Sequence, residues 1–276
     1  MGRSDGALVK DIPAFDMLIP HIMDRRCDST NFVKVEIDMS NLQAYLRELR
    51  DKGYRVGIMD AIIAAFVFML KKRPEINRFV ANKRIYQRNH ICVSFAMIKR
   101  GMDNALIETV IKVYIEPDDD LIAISHKIRA AIKENEAPQV KNTMDHFVDK
   151  LAMLPFLPGF LVWMMKFSDK HGFLPKKIIK LSPFHTSMFI SNLASLRMGY
   201  VYHHLYEFGT TSLFVTLGKP KRKPDAGSID GKPKQIMTLG IAIDERICIG
   251  AIWAKAFFEF RKCIENPAVL MGDAKA

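Results

Sequence analysis

Apolar and polar residues alternate from Phe32 to Asp38, the period of a strand with one face buried. Leu42, Tyr45, Leu46 and Leu49 then fall three and four apart, which predicts a helix capped by Ser40 or Asn41 and ended at Gly53. Asp60 opens a second helix, Ala61 to Lys72, apolar on nearly every side as an interior helix is. Its basic end, Lys71 to Arg73, suits the negative end of the helix dipole, and Pro74 stops it. Short strands are expected at Arg84 to Tyr86 and Ile91 to Ile98, and a longer one at Leu106 to Ile115. Asp118, Asp119 and Asp120 read as the start of a helix running from Leu121 to Asn135. Near the end, Thr211 to Gly218 and Thr238 to Ile243 read as strands, with a hairpin-like loop at 225–231 between them. A last helix stops at Asn266-Pro267. The order of strands and helices is that of an α+β fold with mixed pairing, not of an alternating Rossmann pattern.

Composition narrows the classes. Hydrophobic residues make up 49% of the 276 and charged residues 26%, which suits a folded chain with a sizeable core. The net charge of +11 favours an acidic partner: a phosphate-bearing cofactor, an anionic membrane surface or nucleic acid. No zinc-finger spacing or nucleic-acid recognition motif is present, so no nucleic-acid partner is expected. Cys27, Cys92, Cys248 and Cys263 lie far apart, without metal-site or disulfide spacing, and no metal is expected. Cys92 and Cys248 sit in apolar runs where a thiol is buried and inert. The amino terminus lacks the plan of a signal peptide, which makes a cytoplasmic location the default expectation.

The residues with the most to say are Asp244-Glu245-Arg246-Ile247-Cys248-Ile249-Gly250, at a strand–turn–helix junction. This ending resembles the catalytic domain of 2-oxo acid dehydrogenase acyltransferases (E2) and of chloramphenicol acetyltransferase. That family's pattern reads Asp/His-His-x-x-x-Asp-Gly. Earlier, Phe15, Phe32 to Asp38, Tyr45-Leu46-Arg47, Asp60 to Ile63 and Arg73-Pro74-Glu75-Ile76-Asn77 resemble the family's opening half in order and spacing. Ser187 to Leu193 resembles its Thr-Phe-Thr-Ile-Ser-Asn-Leu-Gly element, with Ala194 in place of the glycine. The resemblance implies an α+β, chloramphenicol-acetyltransferase-like two-layer fold: one domain over residues 1–276, a mixed β-sheet covered by helices, assembled as a homotrimer. Residues 136–182 depart from the family as an apolar and basic insertion. Neither a lipoyl domain nor an Ala/Pro-rich swinging linker is expected, so no lipoyl group is carried.

The chemistry implied is acyl transfer between a coenzyme A thioester and an acceptor, in a channel between subunits. A neutral histidine suits the base's task because its pKa lies near neutrality. In the family, the serine of Ile-Ser-Asn-Leu stabilises the oxyanion across a subunit boundary from the histidine, and Ser191 matches that serine. Glu245 stands at the base position and Ile249 at the second acid position. An ordinary glutamate, near pKa 4.3, takes a thiol proton reluctantly unless burial raises it. Its bland reading is an ion pair with Arg246 or a lysine. His203 and His204, beside Tyr202, Tyr206 and Glu207, occupy the stretch where the family has a Thr-Pro turn. One ring can supply the lost base, oriented by Glu207, or the pair can bind a ligand or metal, or simply sit at a subunit contact. His185 is a further candidate, and Cys248 is not taken as a nucleophile.

Three functional readings stay open. The first is a free-standing acyltransferase-family protein using Ser191 with Glu245 or a His203/His204 ring. The second is a catalytically inactive trimeric scaffold or acyl-CoA-binding protein. The third is a membrane-surface protein handling lipid-like acyl groups, motivated by the uncharged run Leu151 to Met165 and its flanking lysines 150, 166, 170, 176, 177 and 180. That run is too short and too broken by Pro155, Pro158 and Gly159 to span a bilayer, so a helical excursion packed on its own domain or a neighbour is the plainer reading.

Overall fold

The computed structural model describes residues 3–100, 106–136, 157–224 and 233–272. The elements in order are β1 (Gly6–Leu8), α1 (Ala14–Ile22), β2 (Thr30–Asp38), α2 (Ser40–Asp51), α3 (Ile58–Lys72), β3 (Arg78–Ala81), β4 (Arg84–Arg88), β5 (Ile91–Arg100), β6 (Leu106–Ile115) and α4 (Leu121–Asn135). They continue with α5 (Leu157–His171), α6 (Lys176–Leu181), β7 (Met188–Asn192), β8 (Leu213–Leu217), β9 (Lys221–Lys223), β10 (Lys234–Asp244) and α7 (Gly250–Glu265). The hairpin-like loop and the first part of the uncharged run, residues 151–156, lie outside the described residues.

The main sheet runs β2-β10-β8-β7-β5-β6, with β9 also on β10. β7 pairs parallel with both β5 and β8, and the other pairings are antiparallel, so the sheet is mixed as expected. Along β7, β8 and β10 alternate residues face opposite ways. Met188, Ile190, Leu213, Val215, Leu239 and Ile241 enter the large core that includes side chains of α2, α3, α4 and α7. Phe189, Phe214 and Ala242 face the other side, where they pack with Leu205 in a separate small cluster. A three-stranded sheet, β1-β4-β3, stands apart from the main one.

Local chemistry explains most of the element boundaries. Gly57, not Asp60, occupies the cap of α3; Asp60 sits in the first turn and accepts the Gly57 N–H at 2.8 Å. The Asp60 carboxylate also accepts the Ser125 hydroxyl at 2.8 Å, which fastens α4 to α3. α2 begins where expected, but Asp38 supplies the capping oxygen, to the Ser40 N–H at 2.9 Å. Asp120 caps α4 by accepting the Ala123 N–H at 2.8 Å. Phe66 and Phe260 stack at 4.2 Å and join α3 to α7 through the core. β1, α1 and β3 have no counterpart in the sequence pattern. β3 and β4 are joined through Asn82 and Lys83, both at positive φ as a two-residue hairpin turn requires.

Burial raises the Asp60 carboxyl above its ordinary value, with the Gly57 and Ser125 hydrogen bonds opposing the shift. Replacing Asp60 with alanine strips both bonds at a buried position. The expected cost is about 2–3 kcal/mol, read as a lower urea midpoint with an unchanged slope.

Candidate functional site

The turn after β10 is built on a buried carboxylate. Asp244 is fully buried and accepts the Ser29 hydroxyl at 3.1 Å, the Arg246 N–H at 3.1 Å and Arg246 Nε at 2.8 Å through one oxygen. Its other oxygen takes Arg246 Nη2 at 2.8 Å and lies 3.7 Å from Arg26 Nε. The two guanidiniums then spread to backbone carbonyls: Arg246 to Met23 and Asp24, Arg26 to Tyr206, Glu207 and Val80. Burial lowers the pKa of Arg26, whereas at Arg246 the adjacent Asp244 outweighs burial and raises it.

Arg246 is therefore committed to Asp244 rather than to Glu245. The Glu245 side chain is half-buried, and Oε2 accepts the Asn31 amide, a neutral donor, at 2.5 Å. Glu245 lines a cleft of about 280 Å³ whose walls include Ile12, Phe15, Ile19, Ile247, Cys248 and Trp253. Burial pushes the Cys248 thiol up to about 12, which suits its inert reading. The buried Trp253 indole N–H, on the same wall, has no hydrogen-bond partner among the described residues. Sequence reasoning missed Trp253, whose spacing reads only as helix core. Ile249 is exposed at the cap of α7. A side-chain carbon added at Gly250 would meet nothing within 4 Å, so the isolated chain does not need glycine there.

Ser191 lies elsewhere. It is half-buried on β7, paired with Thr216, and faces the same side as Phe189. Thr216 pairs in turn with Gly240, and Glu245 is five residues further along the chain from Gly240. One chain thus separates Ser191 from Glu245 by about 17 Å along the strand direction and about 10 Å across it. They do not form one site within a protomer.

The His203 ring does share the Ser191 face. It stacks on Phe214 with centroids 4.0 Å apart and planes 4° from parallel, and Phe214 pairs with Phe189. Nδ1 lies 2.8 Å from the His204 carbonyl, so it carries the proton and leaves Nε2 as the acceptor. Burial lowers the His203 pKa. His204 stacks on His203 at 4.6 Å but is itself exposed. Among the described residues the Glu207 carboxylate turns to the Cys27 N–H, which it accepts at 3.0 Å, rather than to either ring. The segment carrying the histidines crosses close over the sheet, because Gly240 has no side chain. A carbon there would sit 2.2 Å from the Val201 carbonyl.

His185 belongs to a third place. Its Nδ1 lies 2.8 Å from Ser182 Oγ and its Nε2 3.1 Å from Asp169 Oδ1, with His185 and Ser182 wholly buried and Asp169 nearly so. Asp169 also receives Arg3 at 2.7 Å, and Arg3 pairs with Asp5. With His185 and Ser182 wholly buried, this serine–histidine–aspartate row fastens α5 to the segment before β7. Burial pushes the Asp169 carboxyl up, but His185 and Arg3 overcome it and hold it well below the usual carboxylate range.

Residues 29–148 match the family model described as the 2-oxoacid dehydrogenases acyltransferase catalytic domain. No curated protein sequence matches the chain. Among solved structures, a probable dihydrolipoamide acetyltransferase from Listeria monocytogenes is similar at 15% identity and a TM-score of 0.58, covering 97% of this chain and 98% of that one. Over residues 29–148 the chain is thus similar to the 2-oxoacid dehydrogenase acyltransferase catalytic domain. A second similar structure addresses the role of a serine, a histidine and an asparagine in the catalytic mechanism of the Azotobacter vinelandii dihydrolipoamide acetyltransferase. It has 12% identity, a TM-score of 0.58, and coverage of 95% of this chain and 93% of that one. A chloramphenicol acetyltransferase follows at 9% identity and a TM-score of 0.55, covering 95% and 98%. At these identities the likeness is one of fold. It places the chain in the two-layer architecture expected of it, while the family match ends before Ser191 and Glu245.

Removing the hub charge is expected to be costly. Asp244→Asn leaves two buried guanidiniums without their carboxylate and should lower stability by about 3–5 kcal/mol in denaturant titrations. Asp169 acts on the acid side: its folded-state pKa is depressed, so its contribution is complete above about pH 4 and fades as pH falls below that. Asp169→Asn should lower stability at pH 7 and flatten the acid limb of a stability–pH curve.

Proposed function

We propose that this chain is a free-standing acyltransferase that moves an acyl group between a coenzyme A thioester and an acceptor, at a site completed by a second copy in a homotrimer. The separation of Ser191 from Glu245 within one chain is the observation that carries this reading, because the two roles the resemblance assigns them need one reacting carbonyl between them. The open space beside Gly250, and the exposed apolar residues Phe15, Leu18, Ile22 and Ile249 near the Glu245 cleft, favour a neighbour on that side.

In this reading the acceptor's thiol or hydroxyl attacks the thioester carbonyl while its proton passes to the Glu245 carboxylate. Ser191, from the adjoining copy, donates its hydroxyl to the oxyanion of the tetrahedral intermediate. The carbon–sulfur bond then breaks, and the proton held by Glu245 goes to the departing thiolate. His203 is the other base, with Nε2 left as acceptor on the Ser191 side. The exposed basic strand β9 is a weaker candidate for the coenzyme phosphates, since Lys223 already pairs with Glu36 at 2.9 Å.

A second reading is a trimeric binding or scaffold protein without turnover. It is favoured by Ile249, whose exposed hydrocarbon side chain can do none of the polar work of an aspartate or asparagine at that position.

Thiol release from a panel of acyl-coenzyme A donors and acceptors, from pH 6 to 9, separates the two. Turnover should fall at least about a hundredfold in Ser191→Ala and in Glu245→Gln. Mixing those two inactive proteins, unfolded and refolded together, should restore about a quarter of the sites if three copies close a ring. No recovery on mixing sinks the shared site. Thioester binding without release by the parent protein leaves the scaffold reading. If His203→Ala alone abolishes release, the base is the histidine.

A further inference from the structure

The helix α5 presents an aromatic row to solvent. Phe160, Trp163, Met164, Phe167 and His171 fall three, four, seven and eleven residues from the first, on one side of the helix. Phe160, Trp163, Met164 and Phe167 are all exposed, Trp163 by 59%. The rings follow one another along the surface, stacked or tilted: Phe160 to Trp163 at 5.9 Å, Trp163 to Phe167 at 5.7 Å, Phe167 to His171 at 4.4 Å, then across to the exposed Phe173. Asp169 lies about 180° around the helix from that row, buried against Arg3 and His185.

Charge completes the pattern. Lys166 and Lys170 flank the row on α5, and Lys176, Lys177 and Lys180 follow on α6, all five exposed. Asp169 is the single acid from residue 159 to 181, and it is spent inside the protein. Residues 159–181 therefore offer apolar rings and positive charge with no exposed carboxylate of their own, Asp24 and Glu207 lying across the cleft that Lys166 and Lys170 border. A second copy meeting it face to face would bring like charges together, and a soluble acidic peptide would leave the rings' large apolar area without an acyl-like partner. No helix among the described residues is long and apolar enough to cross a membrane.

From these observations we propose that the exposed face of α5, with the lysines of α6 that follow it, is a docking surface for an anionic lipid bilayer. The aromatic row lies in the interfacial plane, its rings reach the acyl boundary, and the lysines meet the headgroups. The buried row Ser182–His185–Asp169–Arg3 holds the helix with its apolar side outward, so the surface is preorganised before lipid is met. This proposal is independent of acyl transfer, which is read by thiol release without lipid.

Vesicle flotation with the whole protein tests it. Vesicles of phosphatidylcholine carrying about one phosphatidylglycerol in three should bind at least about tenfold more tightly than pure phosphatidylcholine, with most of that difference lost in about 1 M salt. Of the two tryptophans, Trp253 is buried and Trp163 exposed, so bromine on the lipid acyl chains should quench Trp163 alone, by about half of the total emission if both emit comparably. The double change Trp163→Ser and Phe167→Ser, and separately Lys166→Glu with Lys170→Glu and Lys177→Glu, should each weaken binding at least about tenfold while thermal unfolding stays near the parent's. Equal binding to both lipids, no binding to either, or binding that survives both sets of changes overturns the proposal. So does self-association in sedimentation velocity that the Trp163→Ser and Phe167→Ser changes abolish, since a second copy would then cover the face.

Discussion

A carboxylate enclosed by the protein, Asp244, holds the turn region of this molecule together. Two guanidiniums and a hydroxyl converge on it, and through them the end of β10, the chain after α1, β3 and the segment around Tyr206 are fixed relative to one another. Two positive charges against one negative is a costly arrangement to bury, tolerable because both arginines also hydrogen-bond to backbone carbonyls. The benefit is orientation. Asp244 binds Arg246 so fully that Glu245, between them in sequence, turns instead to Asn31 and the cleft.

The sheet then divides the labour. One face is closed by helices around a continuous apolar core. The other is crossed by an irregular segment pressed down at Gly240 and seated on Phe189 and Phe214. Helices on the first face give rigidity, and the second face carries Ser191 on β7 and seats the His203 ring on Phe214 of the neighbouring β8, two residues from Thr216, the strand partner of Ser191. The Glu245 cleft lies at the end of the same sheet, well away from Ser191 in the same chain.

Much of the architecture was legible in sequence where one face of an element is buried. β2, α2, α3, α4 and β10 all announce themselves by period, and the acids at Asp60 and Asp120 mark helix starts to within a few residues. β1 and β3 were not legible because three or four residues carry too little pattern. α1 escaped because Pro20 interrupts it and most of its large apolar residues, Phe15, Met17, Leu18 and Ile22, stay exposed. At the site, sequence located the motif but not its partners. Arg246 could be paired with either neighbouring acid on paper, and the choice of Asp244 follows from strand alternation plus Arg26, 218 residues away in the chain. The Glu207 orientation of the histidines failed for a similar reason: Cys27, remote in sequence, offers the N–H that takes it.

The chain's thiols are unevenly placed: Cys92, Cys248 and Cys263 are enclosed, and Cys27 stands in the open at the edge of the Asp244 hub. Chemistry directed at sulfur in the native protein accordingly has one address. A fluorophore or spin label attached there would sit beside Glu207 and the chain leading into β2, turning a residue with no evident task into a built-in reporter of how the turn responds when something enters the cleft.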